Sequence, residues 1–149
     1  MEIRRFTQTC IDDVIDFELR LRQEENFWGW EIDDKYIADV TRSFEDEKYA
    51  HSVSLLAYKE GKVLGRIDST LICSHFDGSV KAYLDWICVL KSARHRGVAQ
   101  ALLSALRERL RMRGIDTLVA LIASNEEAQR FYRNIEGAQI RDEGFWLTP

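Results

Sequence analysis

The chain has 149 residues, of which 46% are hydrophobic and 31% charged, and its formal net charge at pH 7 is −4. A chain of this size and composition is typical of one globular domain that buries roughly two-thirds of its unfolded surface. The acidic balance gives no global reason to expect a nucleic-acid partner. No stretch approaches the ~20 apolar residues of a membrane span, and the first residues lack the apolar core of a signal peptide, so we expect no membrane partner.

The three cysteines, Cys10, Cys73 and Cys88, are odd in number and widely spaced. This spacing argues against a disulfide framework and against a zinc site. No His-x-x-x-His pair suggests another metal. We therefore expect a reducing, cytoplasmic setting and no metal cofactor.

The first half of the chain predicts two helices followed by strands. After a short strand at "EIRRF", the apolar residues Ile11, Val14, Ile15 and Leu19 recur at helical spacing, and a second helix starts near Asp33. The segment from residue 51 to residue 90 then predicts three strands. They are joined by hairpin turns at "KEGK" and "FDGS".

The second half alternates helix and strand. Leu102, Leu103, Leu106 and Leu110 define an amphipathic helix that ends at Gly114, and the apolar strand "DTLVALIA" follows it. Because a strand, a helix and a strand in succession imply a parallel crossover, the sheet should be mixed and mostly antiparallel. A further helix, "NEEAQRFYRNIEG", and a last β segment, "AQIRDEGFWL", complete the chain. The order predicts one α/β domain over residues 1–149, with helices on both faces of the sheet.

A basic loop, "RHRGVA", lies between an apolar strand and the third helix. A glycine there lets the backbone approach a ligand that a Cβ would block. The first N–H groups of the helix have no intrahelical partner, and with the helix dipole they form an anion site. Arg94, His95 and Arg96 add positive charge. The loop therefore predicts a phosphate or pyrophosphate ligand, and the alternative is a solvated turn.

The spacing Arg-x-x-Gly-x-Ala, followed by the strand "TLVALIAS" and the helix "NEEAQRFYRNIEG", resembles the GNAT superfamily of acyl-CoA-dependent N-acyltransferases. Arg94, Gly97 and Ala99 match the pyrophosphate loop of that family, Gln/Arg-x-x-Gly-x-Gly/Ala. The resemblance is carried by residues 81–137, and the N-terminal half matches in the order of elements only. We therefore expect acetyl-CoA as the cosubstrate.

The resemblance implies a sheet whose parallel fourth and fifth strands splay apart, with the pantetheine arm of acetyl-CoA pairing with the fourth. The pyrophosphate would lie on backbone N–H groups from Arg96 through Ala99, and Asn125 would contact the pantetheine arm. The implied cofactor-binding residues are Ile87, Cys88, Val89, Arg94, His95, Arg96, Gly97, Val98, Ala99, Gln100, Asn125 and Tyr132.

Acetyl transfer to an amine makes three chemical demands. The amine must lose a proton, because an alkylammonium with a pKa near ~10.4 has no lone pair for attack. The thioester carbonyl needs a hydrogen-bond donor where oxyanion charge develops, and we expect a backbone N–H near Ile87 to Val89. The leaving thiolate benefits from a proton, and Tyr132 resembles the general acid of the family. The alternative for Tyr132 is a core aromatic.

Asp85, in "YLDWICV", is the best candidate for the base. A carboxylate in an otherwise apolar strand costs free energy unless it is paired or opens onto a polar cleft. Many family members carry an acidic residue at this place on the fourth strand, often working through water. The alternative is a buried carboxylate paired with an arginine such as Arg66.

The connection between the first two helices frames the acceptor site in this architecture. Trp28 and Trp30 could stack against a cationic substrate there, and the alternative is that one of them packs in the core. Neighbouring acids would favour an amine, or would solvate a helix face: Glu24, Glu25, Glu31, Asp33 and Asp34. We expect direct attack by a small-molecule primary amine within a ternary complex. The alternatives are a peptide or protein N-terminus or lysine, and a non-catalytic acyl-CoA-binding module.

The last residues bear on the oligomeric state. Phe145, Trp146 and Leu147 form a hydrophobic cluster near the end of the chain. Such residues either form a dimer surface, as in many members of the family, or complete the core. A homodimer is therefore a possible partner arrangement, and the sequence leaves both alternatives open.

Overall fold

The computed structural model describes residues 1–25, 30–141, 144 and 147–148. Its strands are β1 (Glu2–Arg5), β2 (Val53–Lys59), β3 (Lys62–Cys73), β4 (Val80–Val89) and β5 (Leu118–Ala120). Its helices are α1 (Ile11–Glu24), α2 (Asp34–Ser43), α3 (Val98–Met112) and α4 (Glu126–Arg133). The residues divide into two compact units, 1–119 and 120–149. The extent of a single domain over the whole chain stays a prediction.

The sheet has the order β1-β2-β3-β4-β5, and its first four strands are antiparallel neighbours. The predicted hairpin at "KEGK" is confirmed. Glu60 and Gly61 have φ of 52° and 76°, which is the left-handed pair that a tight two-residue hairpin turn requires. Near the start of β4, the N–H of Ala82 donates to the C=O of Thr117 at 2.9 Å. β5 runs parallel to β4, so the sheet is mixed, as the sequence predicts.

Helices cover both faces of the sheet, and β3 shows how. On one face Arg66 forms an ion pair with Glu18 of α1. On the other face Gly65 lies against the first residue of α3, where a Cβ would come within 3.0 Å of Val98 Cγ1. Many fully buried side chains come from α1, from α3 and from the central strands. Among them are Val14, Phe17, Leu21, Leu55, Leu56, Ile67, Leu102 and Leu106. The small residue at 65 allows α3 to begin close to the sheet.

The segment after α4 differs from the prediction. Its described residues, 138–141, 144 and 147–148, are not in a strand, so the expected final strand is wrong for them. Arg141 and Gly144 have low strand propensity, and both interrupt the apolar pattern. Leu147 is exposed, whereas Phe145 and Trp146 lie outside the described residues. Within the part of the chain that the structure describes, no helix combines the length and apolar character needed to cross a membrane.

Candidate active site

A β-bulge in β4 presents Asp85. Asp68 of β3 pairs with Trp86, yet the next residue, Ser69, pairs with Leu84, so Asp85 is an extra residue in the ladder. An extra residue of this kind bends the strand and re-aims side chains. Asp85 is exposed, and both it and Trp86 line a cleft of about 1070 Å³. Strict alternation along a strand would have placed these two neighbours on opposite faces.

The buried-carboxylate alternative for Asp85 is wrong. Its expected partner, Arg66, instead forms ion pairs with Asp68, at 2.6 Å between Nε and Oδ2, and with Glu18 at 3.5 Å. Burial acts against the charge of Arg66, but Asp68 and Glu18 outweigh that effect and raise its pKa. The exposed carboxylate of Asp85 therefore opens onto the polar cleft, the other arrangement that the sequence allows.

Glu18 anchors a buried ionic network beneath the cleft. Only 2% of this residue is exposed, and its carboxylate meets Arg22 at 2.8 Å as well as Arg66. The hydroxyl of Tyr36 accepts a long hydrogen bond from Arg66, at 3.4 Å, and burial raises the pKa of this phenol. Because each buried charge here has an opposite partner, the network supports the cleft without leaving an uncompensated ion.

An aromatic pair stands at one side of the cleft. The rings of Trp30 and Trp86 meet edge to face, with centroids 5.5 Å apart and planes at 70°. Arg22 donates to the C=O of Trp30 at 3.3 Å, and its guanidinium lies 5.1 Å from the ring. Trp30 is 43% exposed, so the core alternative is wrong for it. Trp28 lies outside the described residues, and its role stays a prediction.

Three of the five acids expected to attract the amine have other partners. Glu24 and Glu25 bind residues 92 and 94, and Asp33 caps α2 by accepting from the N–H of Tyr36 at 2.8 Å. Among the described residues, six other acidic side chains and three basic ones line the cleft. The acids are Glu18, Glu45, Asp46, Glu47, Asp68 and Asp85. The cleft face of β3 carries polar residues at alternate positions, Arg66 and Asp68. This alternation is the pattern in the sequence that could have predicted a polar cleft there.

The second half of β4 presents backbone groups away from β3. The N–H of Leu90 donates to Leu64 of the β3 segment at 2.9 Å. Since N–H directions alternate along a strand, those of Ile87 and Val89 point to the opposite edge. β5 has three residues against the ten of β4, so it can pair with only part of that edge. Burial raises the pKa of the Cys88 thiol to about 12, which suits a core side chain.

The loop before α3 has the geometry of an anion site. Gly97 is the N-cap with a φ of 79°, and His95 also has a positive φ, 59°. The N–H of Ala101 makes the first bond of the helix, to Gly97, which leaves the N–H groups of residues 98–100 without intrahelical acceptors. A Cβ built on Gly97 would meet nothing within 4 Å. This open space, beside exposed His95 and Arg96, fits a pyrophosphate.

The side chain of Arg94 anchors this loop to neighbouring elements. Its guanidinium forks onto Glu25, with Nη1 and Nη2 at 2.8 and 2.7 Å from the two carboxylate oxygens. Its Nε donates to the C=O of Val89 at 3.2 Å. The first residue of the motif therefore ties the loop to both α1 and β4, and its direct contact with a phosphate stays a prediction.

The unit of residues 120–149 carries the remaining predicted residues. Asn125 is the N-cap of α4, where its Oδ1 accepts from the N–H of Ala128 at 2.9 Å. The Nδ2 group of this side chain can donate a further hydrogen bond. Tyr132 is half-buried, and its ring meets Phe131 edge to face at 5.3 Å. Across the described residues, no group of three or more His, Cys, Asp and Glu could hold a metal ion.

Comparison with known proteins identifies the class. The model of the Acetyltransferase (GNAT) family matches residues 4–136. An aminoglycoside N(6')-acetyltransferase type 1 from Salmonella typhimurium is 28% identical over 110 residues, or 72% of this chain and 70% of that relative. The chain belongs to the GNAT family. It is an acetyl-CoA-dependent N-acetyltransferase.

Solved structures share the fold. AAC(6')-Iy, in complex with the bisubstrate analog CoA-S-monomethyl-acetylneamine, has a TM-score of 0.77 at 21% identity and matches over 99% of this chain and 97% of its own. The ribosomal-protein-alanine N-acetyltransferase of Brucella melitensis biovar Abortus 2308 has a TM-score of 0.75 at 19% identity, over 100% and 99% of the two chains. One architecture thus serves acetyltransferases whose names state different acceptors.

Proposed function

We propose that the chain transfers the acetyl group of acetyl-CoA to a primary amine of a small, multiply charged molecule, by direct attack within a ternary complex. The observation that carries this proposal is Asp85, which the bulge presents to an acidic cleft beside Trp30 and Trp86. An excess of carboxylates concentrates cationic ligands, and tryptophan faces bind ammonium groups. The small-molecule acceptor agrees with the aminoglycoside named for the Salmonella relative.

The residues divide the proton transfers between them. Asp85 accepts the proton that the substrate ammonium gives up, directly or through a water molecule, and so frees the lone pair that attacks the thioester carbon. The outward N–H groups of Ile87 and Val89 donate to the developing oxyanion. As the C–S bond breaks, Tyr132 gives its phenolic proton to the thiolate, and the second proton, which the acylated nitrogen releases to become an amide, restores the phenol through solvent. The assignment of Tyr132 rests on its place in the Phe-Tyr run.

Acetyl-CoA supplies the activated acetyl group, and backbone N–H groups at the start of α3 are available to bind its pyrophosphate. We propose that the N–H groups of Val98, Ala99 and Gln100 bind the pyrophosphate, with His95 and Arg96 adding charge. Ile87 and Val89 present the outward strand edge for the pantetheine arm, Cys88 lies between them with its backbone groups toward β3, and Asn125 adds its Nδ2 donor. The open space at Gly97 supports this arrangement. The cytoplasmic location and the homodimer remain predictions from the sequence.

A panel of acceptors tests the proposal. Thiol release from acetyl-CoA would be followed with neamine, with spermidine, and with a short peptide that has an N-terminal alanine and an internal lysine. We expect kcat/KM to be highest for a multiply charged small amine, and intersecting initial-rate lines that indicate a ternary complex. Faster turnover of the peptide would favour the protein-directed alternative. Binding of acetyl-CoA without turnover of any acceptor would favour the non-catalytic alternative.

A further inference from the structure

Two adjacent carboxylates at the end of α1 bind the loop between β4 and α3, residues 90–97, which we call the cofactor loop. Glu24 accepts from the N–H and the hydroxyl of Ser92, at 2.9 and 2.7 Å. Glu25 receives the bidentate fork of Arg94, at 2.7 and 2.8 Å. We call these four residues, Glu24, Glu25, Ser92 and Arg94, the carboxylate clamp. The clamp joins positions 68 or 69 residues apart in the chain, so it fixes the loop to a separate element.

The Glu25–Arg94 pair has the geometry of a specific contact. Its side chains are 11% and 20% exposed, and two parallel N–H···O bonds define their relative orientation. Around Glu24, partial burial acts against the charge, but hydrogen bonds from Ser92 outweigh it and lower the pKa of this carboxylate. Glu24 is therefore held at the loop as an anion, and Glu25 is held there by its two hydrogen bonds from Arg94.

Negative charges are unexpected close to a site that binds an anion. By Coulomb's law alone, Glu24 and Glu25 should weaken the binding of a pyrophosphate, since like charges repel. Glu25 also neutralises Arg94, a cation that could otherwise have faced the phosphate. A carboxylate pair at this position favours pyrophosphate binding only under one condition. The loop geometry that it imposes must contribute more binding free energy than the loss of positive charge costs.

We propose that Glu25 is a positioning residue for the cofactor loop. By holding Arg94 against the end of α1 and the C=O of Val89, it orients the loop so that the N–H groups of residues 98–100 converge on the pyrophosphate. This proposal rests on the proposed function, because it assumes that the loop binds CoA. Pre-organisation of this kind improves affinity by reducing the conformational entropy lost on binding.

Calorimetric titration with CoA separates the two possible effects of Glu25, because they have opposite signs. In Glu25→Gln, a loss of positioning weakens CoA binding by about tenfold, the size expected when a charged hydrogen-bonded pair is broken. A purely electrostatic role would tighten binding, because a negative charge is removed. Glu108→Gln, the same substitution at an exposed site on α3, is the control and should change Kd less than about twofold.

A second variant gives the comparison a further constraint. Arg94→Lys keeps the charge but loses the fork, so it should weaken CoA binding about as much as Glu25→Gln does. The double variant should be no weaker than either single one, because both break the same contact. If Glu25→Gln does not fold, Arg94→Lys still carries the comparison. In steady state, the KM for acetyl-CoA should rise while kcat at saturation stays close to that of the wild type.

The outcomes distinguish this proposal from the one on which it rests. If the wild type fails to bind CoA, the proposed function fails and the clamp fails with it. If the wild type binds CoA and Glu25→Gln binds it equally well or more tightly, the positioning role alone is overturned. Additive effects of the two substitutions would also overturn it, since Glu25 and Arg94 would then act separately.

Discussion

At the scale of the residue, Asp85 owes its position to the backbone. One additional residue in β4 relative to β3 places it where two neighbouring side chains face the cleft. Asp68 of the adjacent strand β3 also lines the cleft, but its carboxylate forms an ion pair of 2.6 Å with Arg66. Of these two carboxylates, Asp85 is thus the one exposed in the cleft, and this difference in pairing is why we propose Asp85, and not Asp68, as the base.

Substitution of Asp85 by asparagine should lower kcat/KM by about 10²- to 10⁴-fold at neutral pH, the usual contribution of a general base. The defect should shrink as the pH rises toward 10, because the acceptor ammonium then loses its proton to the solvent. The measurement is kcat/KM against pH for the wild type and Asp85→Asn with the same amine. A defect that does not change with pH would contradict the role of proton acceptor.

At the scale of the element, α1 supplies residues for three separate structural roles. Glu18 supports the floor of the cleft, Arg22 positions Trp30, and Glu24 binds the cofactor loop. The helix contains two Arg pairs at i,i+4 spacing that differ in burial. Asp16 pairs with Arg20 at the surface, whereas Glu18 pairs with Arg22 in the interior. Their contributions to stability should therefore differ.

Glu18→Gln should lower the free energy of unfolding by about 3 kcal/mol, because it removes the buried carboxylate charge that the guanidinium groups of Arg22 and Arg66 share. Asp16→Asn is the matched control, and it should cost less than about 1 kcal/mol, since exposed pairs are screened by water. Denaturation by urea measures both values. Equal losses in the two variants would show that the network does not support the fold.

Local patterns predicted most elements, and long-range contacts account for what they missed. The leucine stripe of α3 and the turn at Gly61 are set within a few residues of chain, so their prediction succeeded. The bulge at Asp85 depends on the register between two strands, and no pattern within β4 shows it. The partners of Glu24 and Glu25 are also distant in sequence. The sequence alone therefore predicts these acids to be acceptor-site charges, and only the contact between the loop and α1 shows their partners.

At the scale of the whole molecule, the proposed function requires surfaces that suit two substrates of opposite charge. The cleft is acidic, whereas the loop offers unpaired N–H groups with exposed His95 and Arg96. If the loop binds CoA as we propose, a chain with a net charge of −4 holds this anion through one local arrangement of the backbone.

Binding of CoA should stabilise the whole fold by mass action. At a ligand concentration of about 100 Kd the free energy of unfolding rises by about 2.7 kcal/mol. For a chain of this length that corresponds to a rise in Tm of roughly 5–10 °C. Differential scanning calorimetry measures it, with Gly97→Glu as the control, because a carboxylate at the loop should repel the pyrophosphate. An equal shift in this variant would exclude the loop from the binding site.

The bulge has an evolutionary consequence. It presents positions 85 and 86 to the cleft through strand register alone, while Glu18 and Arg66 secure the floor independently. Replacing Trp86 would therefore alter the shape of the cleft beside Trp30 while the ion pair of Glu18 with Arg66 stays in place. Descendants of this sequence could acquire new amine preferences through single substitutions at the cleft while the chemistry of acetyl transfer is inherited unchanged.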